Sequence, residues 1–246
     1  MICVALCAGY ATRLYPLTEN FPKALLEVRG KTILDWLYDD ICESGAVEKF
    51  VVVSNHRFIG HFEKWAAGKK CMPVELIDDG TMSNETRLGA VRDVHMAVEK
   101  LRLDDDLLVI AGDNVLDFSL SHFIGYFAQK KASSIMRYFC DDPARLKKSG
   151  VIEPAQDGRI LRMEDKPAEP FACWCAPPFY VYARQDLHFI AEALDSGCGA
   201  DAPGSFMAWL SKHTPVYSME MPGKRYDIGN MESYEAVQRE YMGITK

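Results

Sequence analysis

A loop with small residues and two cations follows the first apolar segment of this 246-residue sequence. Gly9 and Ala11 are small enough for backbone N–H groups to approach an anion, and Arg13 and Lys23 could neutralise its charge. These residue types predict a phosphate-binding loop. The patterns GxxxxGK[ST] and GxGxxG are both absent, because positions 9–14 read GYATRL. On composition alone, a loop with one arginine and one lysine is more often an ordinary solvated loop.

A second candidate group is the carboxylate of Asp113, which ends the hydrophobic run LLVIAGDN. In open α/β sheets, ligands bind at the carboxyl ends of the strands. Mg²⁺ takes one or two protein carboxylates together with phosphate oxygens and water. An aspartate at this position therefore indicates a magnesium ligand, and the alternative is an aspartate that only caps a turn.

Alternating segments over the first part of the chain predict the elements that position these groups. Ile2–Ala8 is a continuous apolar run, which is typical of a strand buried on both faces. Further strands are predicted at Phe50–Val53, Val74–Ile77, Leu107–Ala111 and Ser134–Phe139. Apolar residues at helical spacing predict the helices between them, at Ile33–Ser44, His56–Ala67, Arg87–Arg102 and Leu120–Lys131. Such alternation predicts an α/β fold, a Rossmann-like three-layer sandwich with a mostly parallel central sheet.

The pattern changes after about Gly150, where short strand-like pieces are separated by proline-containing loops. Strands are predicted at Val151–Glu153, Arg159–Met163, Phe179–Tyr182 and Val216–Met221, and helices at Asp186–Ser196, Ser205–His213 and Ser233–Tyr241. No linker, low-complexity stretch or internal repeat interrupts the sequence. We therefore expect one domain over residues 1–246, with a nucleotide-binding half at 1–149 and a second half at 150–246 built onto the same sheet.

Charge and composition exclude several classes of protein. The sequence is 48% hydrophobic and 26% charged, which is incompatible with extended disorder. Its net charge of −7 is opposite to that of a general nucleic-acid binder, so we expect no nucleic-acid partner. No apolar run reaches the roughly 20 residues that a membrane span needs, and the amino terminus lacks a basic signal-peptide region. We expect a cytoplasmic protein with no membrane partner.

Cysteine and histidine spacing does not indicate a metal centre. The eight cysteines include no CxxC pair, and none of the six histidines stands in a ligand pair. Reduced cysteines are therefore expected, in preference to a disulfide framework or a metal site.

The first loop and its flanks resemble the signature of the sugar-1-phosphate nucleotidyltransferases, also called nucleotide-sugar pyrophosphorylases. The family pattern is approximately GxGTRLxPLT…PKxLLxV, and AGYATRLYPLT…FPKALLEV matches it with Ala11 in place of the second glycine. The resemblance implies that Arg13 and Lys23 are catalytic and neutralise the triphosphate. It implies a nucleotide-binding loop formed by Ala8, Gly9, Tyr10, Ala11 and Thr12.

Later strings match the family in the expected order. GDN at Asp113 resembles an element whose aspartate binds the catalytic metal, and DIGN at Asp227 resembles the element that supplies the second carboxylate. EDKP resembles EEKP, which implies that Lys166 is catalytic and contacts the acceptor phosphate while Asp165 contacts sugar hydroxyls. SGVIEP resembles an element whose glycine, here Gly150, lines the acceptor site. These residues, including both metal ligands, form the implied acceptor site.

The loop after the third strand resembles a turn that approaches the base and the sugar, which adds Asp79, Gly80 and Gly89 to the implied nucleotide site. The resemblance covers nearly the whole chain and corresponds to the short form of the family, without a β-helix domain. It implies the nucleotide-diphospho-sugar transferase fold, with the acceptor-binding half at 150–246. It also implies Mg²⁺ as cofactor.

The expected reaction joins an NTP to a small phosphorylated acceptor, with a sugar 1-phosphate favoured, and releases pyrophosphate. One alternative is a cytidylyltransferase for a non-sugar phosphate or phosphonate such as phosphocholine, whose ammonium could be caged by aromatic residues: Trp174, Phe179, Tyr180 and Tyr182. A non-catalytic regulatory homologue is a second alternative. The base, the acceptor and the oligomeric state, including a homo-oligomer, stay open at this point.

Overall fold

The computed structural model describes residues 1–245, whose helices and strands alternate mainly in the first part of the chain. The strands are β1 (Ile2–Leu6), β2 (Glu27–Val28), β3 (Lys31–Thr32), β4 (Lys49–Ser54), β5 (Val74–Asp78), β6 (Leu107–Ala111), β7 (Asn114–Leu116), β8 (Ser134–Phe139), β9 (Gly150–Pro154), β10 (Ile160–Asp165), β11 (Trp174–Ala176), β12 (Phe179–Tyr182), β13 (Tyr217–Glu220) and β14 (Arg225–Asp227). The helices are α1 (Ile33–Ser44), α2 (Ile59–Ala67), α3 (Ala90–Leu101), α4 (Ser121–Lys130), α5 (Pro143–Leu146), α6 (Phe189–Asp195), α7 (Pro203–Leu210) and α8 (Met231–Glu240).

These elements belong to two compact units. The first contains Met1–Arg87, Ile110–His122 and the described residues from Pro222 onward, and the second contains Leu88–Val109 and Phe123–Met221. The predicted fold class, an α/β sandwich with a mostly parallel central sheet, is confirmed, and the sheet is mixed because antiparallel strands are added in the second unit. A single domain divided at 149/150 stays a prediction.

In the first unit, β4 pairs in parallel with β1 on one side and with β5 on the other. The strands β1 and β4 are almost wholly buried, as expected for apolar runs covered on both faces. Helix α1 begins where the Thr32 hydroxyl accepts a hydrogen bond from Asp35 N at 3.0 Å, and it ends at left-handed Gly45. The burial of these two strands and both ends of α1 were predicted from the sequence.

A short antiparallel ribbon, β7 with β14, completes the first unit. Its register places Asp227 opposite Asn114 and Tyr226 opposite Val115. The ribbon packs in one apolar cluster with the first loop and with α8, whose buried members are Leu14, Leu26, Val28, Ile33, Val115, Ile228, Val237 and Tyr241. This ribbon was not predicted, because its strands have only three residues each and too little alternation to be recognised.

In the second unit, β8 pairs with β11 and β12 in antiparallel fashion and with β13 in parallel. The antiparallel pairs β11–β9 and β9–β10 extend this arrangement. Helix α3 begins at Ala90, three residues later than predicted, because Gly89 has φ +95° and lies against the Ala200 backbone. A Cβ atom at position 89 would lie 2.6 Å from the Ala200 carbonyl oxygen, so only glycine fits there.

The expectation of reduced cysteines is wrong for one pair. Cys42, in the last turn of α1, is joined by a disulfide to Cys71, which precedes β5. Their Cα atoms lie 6.2 Å apart, within the range that a disulfide spans. The sequence could not indicate this pairing, because 29 positions separate the two residues and only packing brings α1 beside the 71–73 segment.

Among the described residues, no helix is both long enough and apolar enough to cross a bilayer.

Candidate functional site

The first loop adopts the conformation that its small residues predict. Ala11 lies in the left-handed region, with φ 48° and ψ 42°, and a 3₁₀ turn over Thr12–Leu14 follows it. The Ala11 carbonyl accepts hydrogen bonds from Leu14 N at 2.9 Å and from the buried Thr18 hydroxyl at 2.8 Å. An L-residue thus occupies the position at which the family pattern has glycine, and the turn is kept.

Buried polar contacts fasten this loop to the segments after β4 and β5. The Tyr10 hydroxyl lies 3.0 Å from the Thr81 hydroxyl, and burial raises the pKa of Tyr10. Asn55 is fully buried and donates from Nδ2 to the Ala8 carbonyl at 2.9 Å. Asp79 is also buried and accepts a hydrogen bond from Thr81 N at 2.7 Å. The structure therefore joins the predicted nucleotide residues around Tyr10 and Asp79 within one unit.

Gly80 adopts the left-handed region with φ +78°, and open space lies where a Cβ atom would point. It adjoins buried Asp79, so the two predicted nucleotide residues after β5 lie beside the first loop.

Lys23 and Asp113, ninety positions apart, form an ion pair in the first unit. Lys23 Nζ lies 2.7 Å from Asp113 Oδ2 and also donates to the Ile228 carbonyl at 2.9 Å. Burial by itself raises the pKa of Asp113, but the Lys23 ammonium and the Arg225 guanidinium outweigh it and hold that pKa below its usual range. Asp113 is thus held as a carboxylate.

Backbone packing fixes the position of Asp113. Ile228 N donates to the Asp113 carbonyl at 3.1 Å, which ties the residue after Asp227 to the end of β6. Gly112 precedes Asp113 and lies so close to Cys7 that a Cβ atom there would clash with the thiol sulfur. A glycine before the carboxylate is therefore required by packing against β1, independently of any ligand.

Arg13 and Asp227 complete the group in the first unit. The Arg13 side chain is exposed, and its guanidinium lies beside the Gly229 backbone. The Asp227 side chain is 53% exposed, and the ribbon register puts its residue opposite Asn114, next to Asp113. Lys23 and Asp113 are thus in direct contact, and the neighbouring residues Asn114 and Gly229 lie beside Asp227 and the Arg13 guanidinium, respectively.

The donor set fits a magnesium ion. Asp227 ends β14, and Asp113 directly precedes its partner strand β7. Both offer hard carboxylate oxygens, and two is the number of protein carboxylates that Mg²⁺ commonly takes when phosphates and water complete its shell. Within residues 1–245, no group of three or more histidine, cysteine, aspartate or glutamate side chains could enclose a metal by itself. The residues therefore suit a cation that shares its ligands with a phosphorylated substrate.

The predicted acceptor residues of the second unit lie together on two paired strands. Gly150 opens β9 opposite Asp165 at the end of β10, and Lys166 N donates to the Ser149 carbonyl at 3.0 Å. Lys166 has φ 51° and directly precedes Pro167, a position that strongly favours extended backbone. Such strain is typical of functional positions.

The predicted nucleotide residue Gly89 lies elsewhere in the second unit, at the start of α3. Its missing side chain is already explained by the close approach of Ala200, whose carbonyl accepts a hydrogen bond from Val91 N at 2.9 Å.

The aromatic residues near the predicted acceptor strand do not form an open cage. Phe179, Tyr180 and Tyr182 are buried, and the Tyr182 ring packs against Phe206 with centroids 4.9 Å apart. Trp174 is half-buried, but its ring is covered by the Arg137 guanidinium at 4.8 Å. A cage for a quaternary ammonium is therefore not favoured.

Residues that the sequence reasoning missed also contact the predicted site: Asn114, Arg225 and the carbonyl of Ile228. Arg225 lies two positions before Asp227, and alternation along a strand would have placed both on one face. Asn114 adjoins Asp113 in the GDN string, but its burial could not be read from sequence.

Comparisons with known proteins give the same assignment as the motifs. The nucleotidyl transferase family model matches residues 2–243. A protein of Haloferax volcanii named UTP–glucose-1-phosphate uridylyltransferase AglF is 27% identical over 97% of this chain and 96% of its own length. The bifunctional protein GlmU of Methanococcus vannielii is 31% identical over 69% of this chain, but that match spans only 36% of GlmU.

Solved structures share the fold at low sequence identity. A UDP-glucose pyrophosphorylase complexed with UDP-glucose superposes with a TM-score of 0.83 at 18% identity, covering 98% of each chain. A structure described as a glucose-1-phosphate thymidylyltransferase from Bacillus anthracis also gives 0.83, at 20% identity, over 100% of this chain and 98% of that one.

Proposed function

Because this chain belongs to the nucleotidyl transferase family, we propose that it transfers a nucleotidyl group from an NTP to a sugar 1-phosphate and releases pyrophosphate. A phosphate oxygen of the sugar 1-phosphate attacks the α-phosphorus of the NTP. The bond from that phosphorus to the oxygen bridging to the β-phosphorus breaks, and pyrophosphate leaves with the electron pair. The attacking group is already an anion, so the reaction needs no general base.

The observation that carries this proposal is the meeting of Lys23, Asp113, Arg13 and Asp227 beside a loop of small residues. This set of residues supplies charged side chains and backbone hydrogen-bond donors, but no activated nucleophile. It suits a reaction in which positioning and charge neutralisation supply most of the catalysis.

We assign roles to the residues of the first unit as follows. The loop Ala8–Thr12 approaches the triphosphate with its backbone, and the exposed Arg13 guanidinium neutralises charge on the leaving pyrophosphate. Lys23 Nζ lies 2.7 Å from Asp113 Oδ2. In the proposed complex, the phosphate oxygens of the substrate compete with this carboxylate for the Lys23 ammonium. Asp79 and Gly80 line the space for the nucleoside.

Asp113 and Asp227 would hold Mg²⁺, which when bound neutralises the reacting phosphates. The depressed pKa of Asp113 keeps this ligand ionised at neutral pH. In the second unit, Lys166 aims the acceptor phosphate, Asp165 contacts the acceptor's hydroxyls, and Gly150 lines the site with its backbone. Gly89 belongs to the nucleotide site in this proposal.

The choice of a sugar phosphate over a phosphocholine-type acceptor is supported by the names of the relatives and by the burial of the aromatic residues. UTP with glucose 1-phosphate is the first pair to test, because the relative named for that activity matches this chain almost from end to end.

The test is an activity matrix in which each of four NTPs is combined with several sugar 1-phosphates and with phosphocholine. Pyrophosphate is measured after its hydrolysis by pyrophosphatase. We expect release only with a sugar 1-phosphate and Mg²⁺, and loss of at least about a hundredfold in Asp113→Asn. Asp39→Asn is the matched control, because Asp39 forms only an exposed surface pair with Lys31. Turnover with phosphocholine alone, or normal turnover by Asp113→Asn, would refute the proposal.

A further inference from the structure

Two residues outside the predicted site govern the orientation of Asp113. Arg225 Nη1 donates to Asn114 Oδ1 at 2.7 Å, and Asn114 Nδ2 donates to Asp113 Oδ1. Asn114 is fully buried, and the Arg225 side chain is only 15% exposed. The β7–β14 register holds both residues in one ribbon, and Asp113 directly precedes β7.

The chemistry of the three groups fixes the direction of this relay. A guanidinium can only donate hydrogen bonds, so the Asn114 carbonyl oxygen must face Arg225. The amide nitrogen then faces Asp113 Oδ1, while Lys23 donates to Asp113 Oδ2. Each carboxylate oxygen thus has its own donor, and rotation of the carboxylate is restricted. Without Arg225, the Asn114 carbonyl oxygen loses this donor, and the amide is held at one end only, by its bond to Asp113.

We propose that Arg225 and Asn114 are positioning residues, in which Arg225 orients the Asn114 amide and that amide holds Asp113 ready to bind a divalent cation. This inference rests on the proposed function, in which Asp113 is a cation ligand. Groups that orient metal ligands typically change metal affinity by about 10- to 100-fold when they are removed.

The sign of the effect separates positioning from simple electrostatics. Arg225 Nη1 lies 3.9 Å from Asp227 Oδ2, so the guanidinium is a positive charge beside the proposed cation site. If charge alone mattered, removing Arg225 would strengthen cation binding. Positioning predicts weaker binding. Asn114→Leu removes no charge. A loss of cation binding in this variant therefore also indicates that orientation matters.

The experiment measures Mn²⁺ binding directly, by the electron paramagnetic resonance signal of free Mn²⁺ titrated with the full-length protein. We expect the dissociation constant to rise about 10- to 100-fold in Arg225→Met and in Asn114→Leu. The double variant is expected to lose no more than either single variant, because both act through one relay. Arg225→Lys keeps a donor and a charge and is expected to retain most of the affinity. Lys224→Met is the matched control, because Lys224 pairs with Glu240 at the surface.

Binding of Mn²⁺ by folded Arg225→Met as tight as in the wild type, or tighter, overturns the proposal. Asp113→Asn separates this failure from failure of the proposed function. If Asp113→Asn loses Mn²⁺ while Arg225→Met and Asn114→Leu keep it, only the positioning relay is wrong. If Asp113→Asn keeps Mn²⁺, the cation does not bind at Asp113 and both are wrong. Should Arg225→Met fail to fold, Asn114→Leu carries the same test, because it breaks both hydrogen bonds of the relay.

Discussion

Ala11 is an L-residue in left-handed backbone, and replacing it with glycine is expected to stabilise the protein. An alanine with φ 48° carries a steric cost of about 1–2 kcal/mol that glycine avoids. Against this, glycine has more freedom in the unfolded chain, which costs about 0.5–1 kcal/mol. Taking the midpoints of these two ranges, the net gain for Ala11→Gly is about 0.75 kcal/mol. The hydrogen bonds that the Ala11 carbonyl accepts come from Leu14 N and Thr18 Oγ1 and do not involve the side chain, so they persist.

Thermal unfolding by calorimetry measures this prediction. For a chain of this size, about 1 kcal/mol corresponds to roughly 2–4 °C, so Ala11→Gly is expected to raise Tm by about 1–4 °C. Ala191→Gly is the matched control, because Ala191 is an exposed residue within helix α6. There the same substitution is expected to cost about 1 kcal/mol. Ala11→Val is expected to lower Tm, in contrast to Ala11→Gly, since a β-branched residue fits this region poorly.

An unchanged or lower Tm in Ala11→Gly, moving with Ala191→Gly, would refute the reasoning, because it would mean that the left-handed conformation carries no strain to relieve. Activity is a separate readout. The family pattern has glycine at this position, so Ala11→Gly is expected to retain turnover with the NTP and acceptor pair that the matrix identifies.

Other features give further predictions. Reduction of the Cys42–Cys71 disulfide is expected to destabilise the protein by about 3–4 kcal/mol, from the chain-entropy model for a separation of 29 residues. Denaturant unfolding with and without reductant measures this change. A Cys42→Ala/Cys71→Ala variant is expected not to respond to the reductant. Gly112→Ala is expected to lower Tm, because the added Cβ clashes with the Cys7 sulfur. Adding Cys7→Ala is expected to restore part of the loss. Equal losses of Tm in the single and double variants would contradict the clash with Cys7. Burial raises the pKa of Asp186 although the Ser133 hydroxyl donates to it, so this carboxyl binds protons more tightly when folded. The wild type is therefore expected to lose stability relative to Asp186→Asn as pH rises above the usual aspartate range near 3.8, and parallel pH–stability curves would exclude this.

Local sequence patterns determined the main elements and the principal charged groups. The run ICVAL predicts a strand without any knowledge of the tertiary structure, because a continuous apolar run is typical of a strand buried on both faces. Thr32 before α1 and Gly45 after it mark the ends of that helix through contacts within a few residues. The loop motif identified Arg13 and Lys23 as candidate site residues, and the GDN and DIGN motifs identified the two carboxylates. Each motif could be recognised because it is a contiguous stretch of chain.

The tertiary structure decided how these pieces meet. Lys23 reaches both Asp113 and the Ile228 carbonyl, the latter 205 positions away, and no periodicity encodes such a contact. The roles of Asn114 and Arg225 depend on a ribbon of two three-residue strands, too short to be recognised alone. The start of α3, the Cys42–Cys71 bond and the burial of Tyr182 likewise follow from packing. Periodicity and caps are short-range properties of a chain, whereas hydrogen bonds between distant segments exist only once the core has fixed their register.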